Sequence, residues 1–156
     1  MARFPVPQIM LALALLAVDG CGSWQSSAGV RIEAQQFTQA YGELESKADV
    51  AAIMELFKRE PDVTFVVDGE LTRGWDAIHT STDELVGKEG RYKVDYGSID
   101  VTPLGNSHAL VVAPYTKTAV ADSIAIKMHG ALTLVLEKKD GRWRIIHQHE
   151  SSQATD

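Results

Sequence analysis

Residues 132–150 read LTLVLEKKDGRWRIIHQHE: an alternating apolar run, the pair Asp140-Gly141, and a second alternating run. Asp-Gly is the dipeptide that a two-residue type I′ hairpin turn favours, because both central positions need positive φ, which glycine adopts freely and aspartate tolerates. With that pair at the tip, Lys139 faces Arg142, Leu136 faces Ile145, Leu134 faces His147 and Leu132 faces His149. Side chains alternate across a strand, so this register gathers Leu132, Leu134, Leu136, Trp143, Ile145, His147 and His149 on one face. Thr133, Val135, Arg144, Ile146, Gln148 and Glu150 share the other. Two histidines are thus expected to project beside an apolar wall.

Toward the N-terminus, residues 108–118 form an apolar run containing Pro114, which removes a ladder donor and so suggests an edge position or a bulge. Pro103-Leu104-Gly105-Asn106 reads as a loop. Tyr92, Val94, Tyr96 and Ser98 alternate with Lys93, Asp95 and Gly97 in the pattern of a half-buried strand. Ile78, Thr82, Leu85 and Val86 make the inward stripe of a helix that ends at Gly87, and a short hairpin turns at Asp68-Gly69. Phe37, Ala40, Tyr41, Leu44 and Ala48 fall at spacings of three and four on a first helix ending near Lys47. Asp49 caps a second helix over residues 50–58, whose buried face is Val50, Ile53, Met54 and Phe57 and which Pro61 stops. Two helices, a hairpin, a third helix and three or four long strands make an α+β layer, with helices against one face of a curved sheet.

DGRWRIIHQHES, closing a chain that opens with two amphipathic helices, resembles the nuclear transport factor 2-like superfamily, in particular its SnoaL-like and kinase association-domain branches. Asp-Gly-basic-Trp followed by His-x-His is similar to the end of the hub domain of calcium/calmodulin-dependent kinases, and the order of elements matches over residues 32–150. The resemblance implies a cone-shaped fold in which three N-terminal helices pack on a strongly curved antiparallel sheet, whose mouth is a pocket. It implies no single function, because this fold hosts isomerases, cyclases, dehydratases and pure binding modules. The hub domains carry an arginine on the strand opposite the histidines. Leu134 stands there in this chain, so their carboxylate-binding pattern is not carried over intact.

In the ketosteroid isomerase branch a tyrosine of the first helix donates to a developing oxyanion, and an acid after the first strand shuttles the proton. By resemblance Tyr41 takes the first place and Asp68 the second with a one-residue shift, Val67 being the position that aligns without a gap. The third group of that branch, a protonated acid, falls near Gly130 or Ala131, which cannot donate. The Asp-Gly turn already explains Asp68 as the residue before Gly69, which is the favoured reading of that position. The catalytic candidates are therefore Tyr41, Asp68 and His147; the ligand-lining candidates are Tyr41, Trp75, Leu134, Trp143, His147 and His149. The i, i+2 spacing sets the two imidazoles about 7 Å apart along a strand, which suits contact with an anion or a polar ligand. His129 is the one plausible third metal ligand, so no metal is expected. No cofactor is expected either, since the chain has no phosphate loop or zinc-type cysteine spacing.

Residues 1–20 read as a signal peptide: Arg3 and the free amine precede an apolar core over 9–18, too short to span a bilayer. Gly20-Cys21 after that core resembles a bacterial lipobox, which implies acylation of Cys21 and a lipoprotein anchored in the cell envelope, facing the periplasm. Asp19 departs from the small or apolar residue usual there; cleavage near Ser23 would leave a soluble secreted protein instead. Residues 21–30, Ser/Gly-rich, suit a flexible tether. The domain is expected over 31–151, with 152–156 as a tail. After removal of the signal, about 135 residues remain, enough for one domain and too few for two. The chain is 45% hydrophobic with net charge -6 and has no basic stripe, which argues against nucleic acid as a partner. The expectation is an envelope protein that binds a small molecule or protein partner in its cone pocket, without a demonstrable catalytic set. The alternatives are a SnoaL- or isomerase-type enzyme using Tyr41, Asp68 and His147, and a structural module that buries Val135 and Ile146 in a homodimer.

Overall fold

Helix α1 (Gly20–Lys47) begins earlier than the periodicity suggests. The computed structural model describes residues 20–88, 92–121 and 124–154, and side chains within α1 from residue 27. The signal peptide and the Cys21 side chain, with the lipidation expected there, lie outside the described residues. Segment 21–30 is helical rather than a tether, because Val30 already packs in the core. The buried stripe is Val30, Ala34, Thr38, Tyr41 and Glu45. Ala40 is exposed, while Phe37, Leu44 and Ala48 are half-buried flanks. Asp49 caps α2 (Val50–Leu56) by accepting from the Ala52 N–H at 3.0 Å, and Ile53 and Met54 are its buried face.

The remaining elements are β1 (Thr64–Val67), β2 (Glu70–Arg73), α3 (Trp75–Lys88), β3 (Tyr92–Tyr96), β4 (Asp100–Pro103), β5 (His108–Ala121), β6 (Ile124–Lys139) and β7 (Arg142–Ala154). Both Asp-Gly pairs turn as expected, with φ of 47° and 92° at Asp68 and Gly69 and of 51° and 74° at Asp140 and Gly141. On α3, Ile78, Thr82 and Val86 face inward as the spacing requires. β7 runs on to Ala154, pairing Ser152 with Gly130 and Gln153 with His129, so the expected tail is strand as far as that residue.

Seven strands form one curled sheet in the order β2-β1-β7-β6-β5-β3, with β4 also paired to β5. The sheet is mixed rather than wholly antiparallel, since β1 runs parallel to β7 with Thr64 beside His147. β1 and β7 are joined not by a tight turn but by the long stretch of chain through β2, α3 and β3 to β6, a crossover of the kind a parallel pair needs. β4 escaped the sequence reading because it is short and ends in Pro103. Pro114 occupies neither an edge nor a bulge: β5 is central, and its flank passes from β3, which ends at Tyr96, to β4, which starts at Asp100. Its carbonyl accepts from the Gly97 N–H at 2.8 Å on that side, so the missing N–H falls into the handover between the two strands.

The register of the hairpin departs from the expectation at one residue. Lys139 opposes Arg142 and Leu136 opposes Ile145, but the next partner of β6, Val135, opposes His147, which leaves Ile146 as a bulge. One extra residue moves every later side chain of β7 to the other face. Leu134 therefore opposes Gln148 and Leu132 opposes Glu150. The helices cover the face that carries Val111, Leu132, Leu134, Leu136 and Ile145, all essentially solvent-free, together with Ile53, Met54 and Ile78. Each such aliphatic side chain contributes roughly 1.5 to 3 kcal/mol by leaving water. α1 is fastened to the sheet by Glu33, whose Oε2 accepts from Lys138 Nζ at 2.6 Å and from Trp143 Nε1 at 2.8 Å. No helix among the described residues is long and apolar enough to cross a membrane.

Candidate functional site

Between α1, α3 and the inner sheet face lies a cavity of about 130 Å³, lined among others by Tyr41, Glu45, Ile53, Phe65, Thr82, Val86, Tyr92, Lys117, Met128, Gln148 and Glu150. A cavity of that order holds a molecule about the size of benzene. α1 supplies Tyr41 and Glu45, four residues apart on its buried stripe. β5 supplies Lys117, on the same face as Val111, Ala113 and Tyr115, and β7 supplies Gln148 and Glu150 because of the bulge at Ile146.

Three of these residues form a buried ionic cluster. Lys117 Nζ pairs with Glu150 Oε1 and lies 3.6 Å from Glu45 Oε1, with side-chain exposures of 13% for the lysine, 8% for Glu150 and 5% for Glu45. Tyr96 donates to Glu45 Oε2 at 3.1 Å, and Gln148 Nε2 lies 3.4 Å from Glu150 Oε2. The ammonium of Lys117 sits over the rings of Tyr92 and Tyr115, at 5.4 and 5.0 Å. All four tyrosines of the chain thus gather round this cluster.

Burial raises the Glu45 pKa from 4.5 to about 7; Lys117 opposes the rise and Glu150 adds to it. For Lys117 burial works against the charge, but the attraction of Glu45 and Glu150 outweighs it and holds the ammonium above the ordinary lysine range. Tyr41 is pushed well above the usual phenol range, first by burial and then by Glu45 and Glu150, so it stays a neutral hydroxyl. Glu45 is the lining group whose charge changes near neutral pH, a property that clusters at functional sites.

Only part of the expected site comes together here. Tyr41 lines the cavity. Asp68 stands at its edge, exposed in its turn, with both carboxylate oxygens bonded to Ser152. His147 and His149, expected beside Leu132 and Leu134, point to the opposite sheet face because of the bulge. There His147 Nδ1 meets Thr64 Oγ1 at 2.7 Å, and burial followed by the charge of His149 lowers its pKa. Leu134 is core. Trp143 is spent on Glu33, and its ring carries Lys138 at 5.6 Å. Trp75 donates to the Met54 carbonyl at 3.1 Å and lies under Arg59 at 4.3 Å. It borders a wider, open groove of about 510 Å³ with Lys58 and Glu137. In that groove Lys58 pairs with Glu137 at 3.0 Å, and the smaller, more enclosed cavity, with its buried ionic cluster, is the better site. Among the described residues no group of three His, Cys, Asp or Glu side chains is placed to hold a metal ion.

Glu45, Lys117, Gln148 and Glu150 were missed from the sequence. A glutamate four residues after Tyr41 and seven after Thr38 reads as a solvated helix position until tertiary packing turns it inward. Gln148 and Glu150 were assigned to the outer face by the turn register.

The family model for the SnoaL-like domain matches residues 34–155. This chain belongs to the SnoaL-like domain family. Solved structures agree with that assignment at the level of the fold. A nuclear transport factor 2-like superfamily protein from Salmonella enterica serovar Typhimurium superposes with a TM-score of 0.74 at 23% identity, covering 82% of this chain and 94% of that one. A nuclear transport factor 2-like protein of unknown function from Shewanella oneidensis is 24% identical, with a TM-score of 0.67 over 78% of this chain and 98% of that one. A Novosphingobium aromaticivorans protein provisionally named a scytalone dehydratase is 14% identical, with a TM-score of 0.70 over 85% and 89%. No curated protein matches the chain. The SnoaL-like domain here thus shares the superfamily's architecture, three helices against a curled sheet, with relatives too distant to carry an activity across.

Proposed function

We propose that this SnoaL-like domain binds a small, partly apolar molecule in the cavity between α1, α3 and the sheet. One observation carries the reading. Among the described residues, two buried side-chain polar atoms lack a hydrogen-bond partner, Thr82 Oγ1 and Gln148 Oε1, and both residues line this cavity. Leaving a buried polar atom unpaired costs about 1 to 3 kcal/mol, so a guest toward which these two side chains turn would be held by ending that cost. Apolar walls with a few convergent polar groups are the usual make-up of a small-molecule site.

A second reading, acid-base catalysis, is favoured by Glu45 alone, a buried carboxyl with a pKa about 7 beside a hydroxyl donor and an ammonium. Binding is preferred because the other proton-transfer candidates are engaged elsewhere: Asp68 with Ser152, His147 with Thr64. The test is to expose the purified protein to a metabolite mixture, wash, and identify what it retains by mass spectrometry. Retention by wild type and loss in Gln148→Leu supports binding in this cavity. Conversion of the retained compound, abolished by Glu45→Gln, turns the reading to an enzyme.

We further place the protein in the cell envelope, on the strength of the signal-like residues 1–20 and the Gly20-Cys21 pair. Stable anchoring needs more than one acyl chain, which a modified N-terminal cysteine would supply. Cys21→Ala should move the protein from the membrane fraction to the soluble fraction. A wild-type protein already soluble, with its N-terminus beyond Cys21, ends that placement.

A further inference from the structure

We infer that the cavity takes a small primary amine on an apolar body of aromatic-ring size, bound as its ammonium ion. The inference rests on the small-molecule reading of this cavity and names the class of guest. Charge comes first. The lining carries Glu45, Asp68 and Glu150 but, among the described residues, Lys117 as its one cation. Asp68 is exposed and engaged at the mouth, so the interior balance is two carboxylates against one ammonium that both already share. An unpaired charge away from water is costly, and a guest that brings a positive charge of its own lets both carboxylates be ionised and paired. An anionic guest would add to the excess.

Hydrogen bonding points the same way from independent atoms. Gln148 Oε1, unpartnered in a buried residue of the lining, can only accept, so a guest toward which this side chain turns has to bring a donor. Thr82 Oγ1 can also accept. An ammonium offers three donors and no acceptor, which suits acceptors of this kind beside a carboxylate. Ile53, Phe65, Val86 and Met128 supply apolar wall for the rest of the molecule, and the volume limits that body to about one ring.

Before the guest arrives, the excess charge is relieved by a proton on Glu45, whose pKa of about 7 is set by burial together with Glu150 and Lys117; the Tyr96 and Tyr41 hydroxyls complete its surroundings. An ammonium entering the site replaces that proton. Below neutral pH, amine binding therefore releases up to one proton from Glu45 to the buffer.

The experiment is isothermal titration of the full chain with benzylamine, benzyl alcohol and benzoate at pH 6.5, in two buffers of different ionisation enthalpy. Benzylamine should bind on the order of tenfold tighter than benzyl alcohol, the reach of one added charge-assisted contact, and benzoate should not bind. The benzylamine enthalpy should differ between buffers, reporting proton release, and Glu45→Gln should abolish both that difference and the preference for the amine. Equal or tighter binding of benzyl alcohol overturns the amine class while leaving the small-molecule reading in place. Benzylamine binding unchanged in folded Glu45→Gln assigns the amine to the acidic surface and overturns the inference. Failure of all three probes with folded wild type overturns the amine inference, while the metabolite-retention experiment decides the small-molecule reading on its own.

Discussion

Ser152 donates twice to Asp68, from its backbone N–H to Oδ1 at 2.7 Å and from its hydroxyl to Oδ2 at 2.8 Å. The pair fastens the β1–β2 turn to the far end of β7, at the mouth of the cavity. Asp68→Asn replaces one of the two acceptors by a donor and should cost about 1 kcal/mol, read from the denaturant midpoint at unchanged slope. Ligand affinity should change by less than about threefold, since both oxygens are engaged away from the guest. A folded Asp68→Asn protein that loses all binding would assign Asp68 to the site itself.

Glu45 gives the domain a pH dependence opposite in sign to that of an ordinary paired carboxylate. Its pKa rises from 4.5 to about 7 on folding, so between those values the folded chain holds a proton that the unfolded chain has released. Stability therefore falls as pH rises from about 4.5 to 7 and levels off above, a loss of roughly 3 kcal/mol from this group if uncompensated. Thermal unfolding followed across pH 5 to 8 should show the fall in wild type and a flatter profile in Glu45→Gln. An unaltered profile in that variant would refute the assignment.

Lys117 is the one cation between two buried carboxylates, and removing it strands both. Lys117→Met should destabilise by about 3 to 5 kcal/mol, the cost of breaking a buried pair from one side. Adding Glu45→Gln should recover part of that loss, which equilibrium denaturation of single and double variants would measure. Additive losses would mean that the two groups do not act as one cluster.

The outer sheet face is the expected self-association surface. The register sets Leu110, Val135, His147 and Thr64 in one row and Val112, Thr133, His149 and Val66 in the next. Val112 is 41% exposed and Leu71, beside Val66, 59%. Val112→Lys or Val135→Lys puts a charge into any contact made there and should shift light-scattering mass from dimer toward monomer. A wild type that is monomeric at high concentration rules the dimer out.

The fold was largely legible because its signals are local. Asp49 before Val50, the two Asp-Gly pairs and the stripe of Ile78, Thr82 and Val86 each dictate a cap, a turn or a face within a few residues. The site was poorly legible because it depends on contacts that cross the chain. Glu45 becomes unusual only when β5 brings Lys117 to it and β7 brings Glu150. Trp75 and Trp143 were read as pocket aromatics, yet each indole N–H is committed to a partner far along the chain, Met54 and Glu33. A bulge leaves no mark in hydrophobic alternation when both frames of a strand look plausible, and His-Gln-His-Glu is such a strand.

That ambiguity has an evolutionary consequence. Residues 147–150 alternate imidazole with amide or carboxylate, so the strand carries two complete polar sets, and Ile146 decides which one is read into the cavity. Deleting Ile146 would only smooth the strand, with His147 still opposite Val135 and Gln148 and Glu150 still facing in. If Ile146 were kept and took the place opposite Val135, His147 and His149 would turn toward Leu134 and Leu132, Gln148 and Glu150 would turn out, and Lys117 would lose the carboxylate that holds it. Whether the strand accommodates its extra residue as a bulge thus chooses between a carboxylate-lined chamber and an imidazole-lined one. Relatives with the same helices and the same turn can therefore differ completely in what they hold.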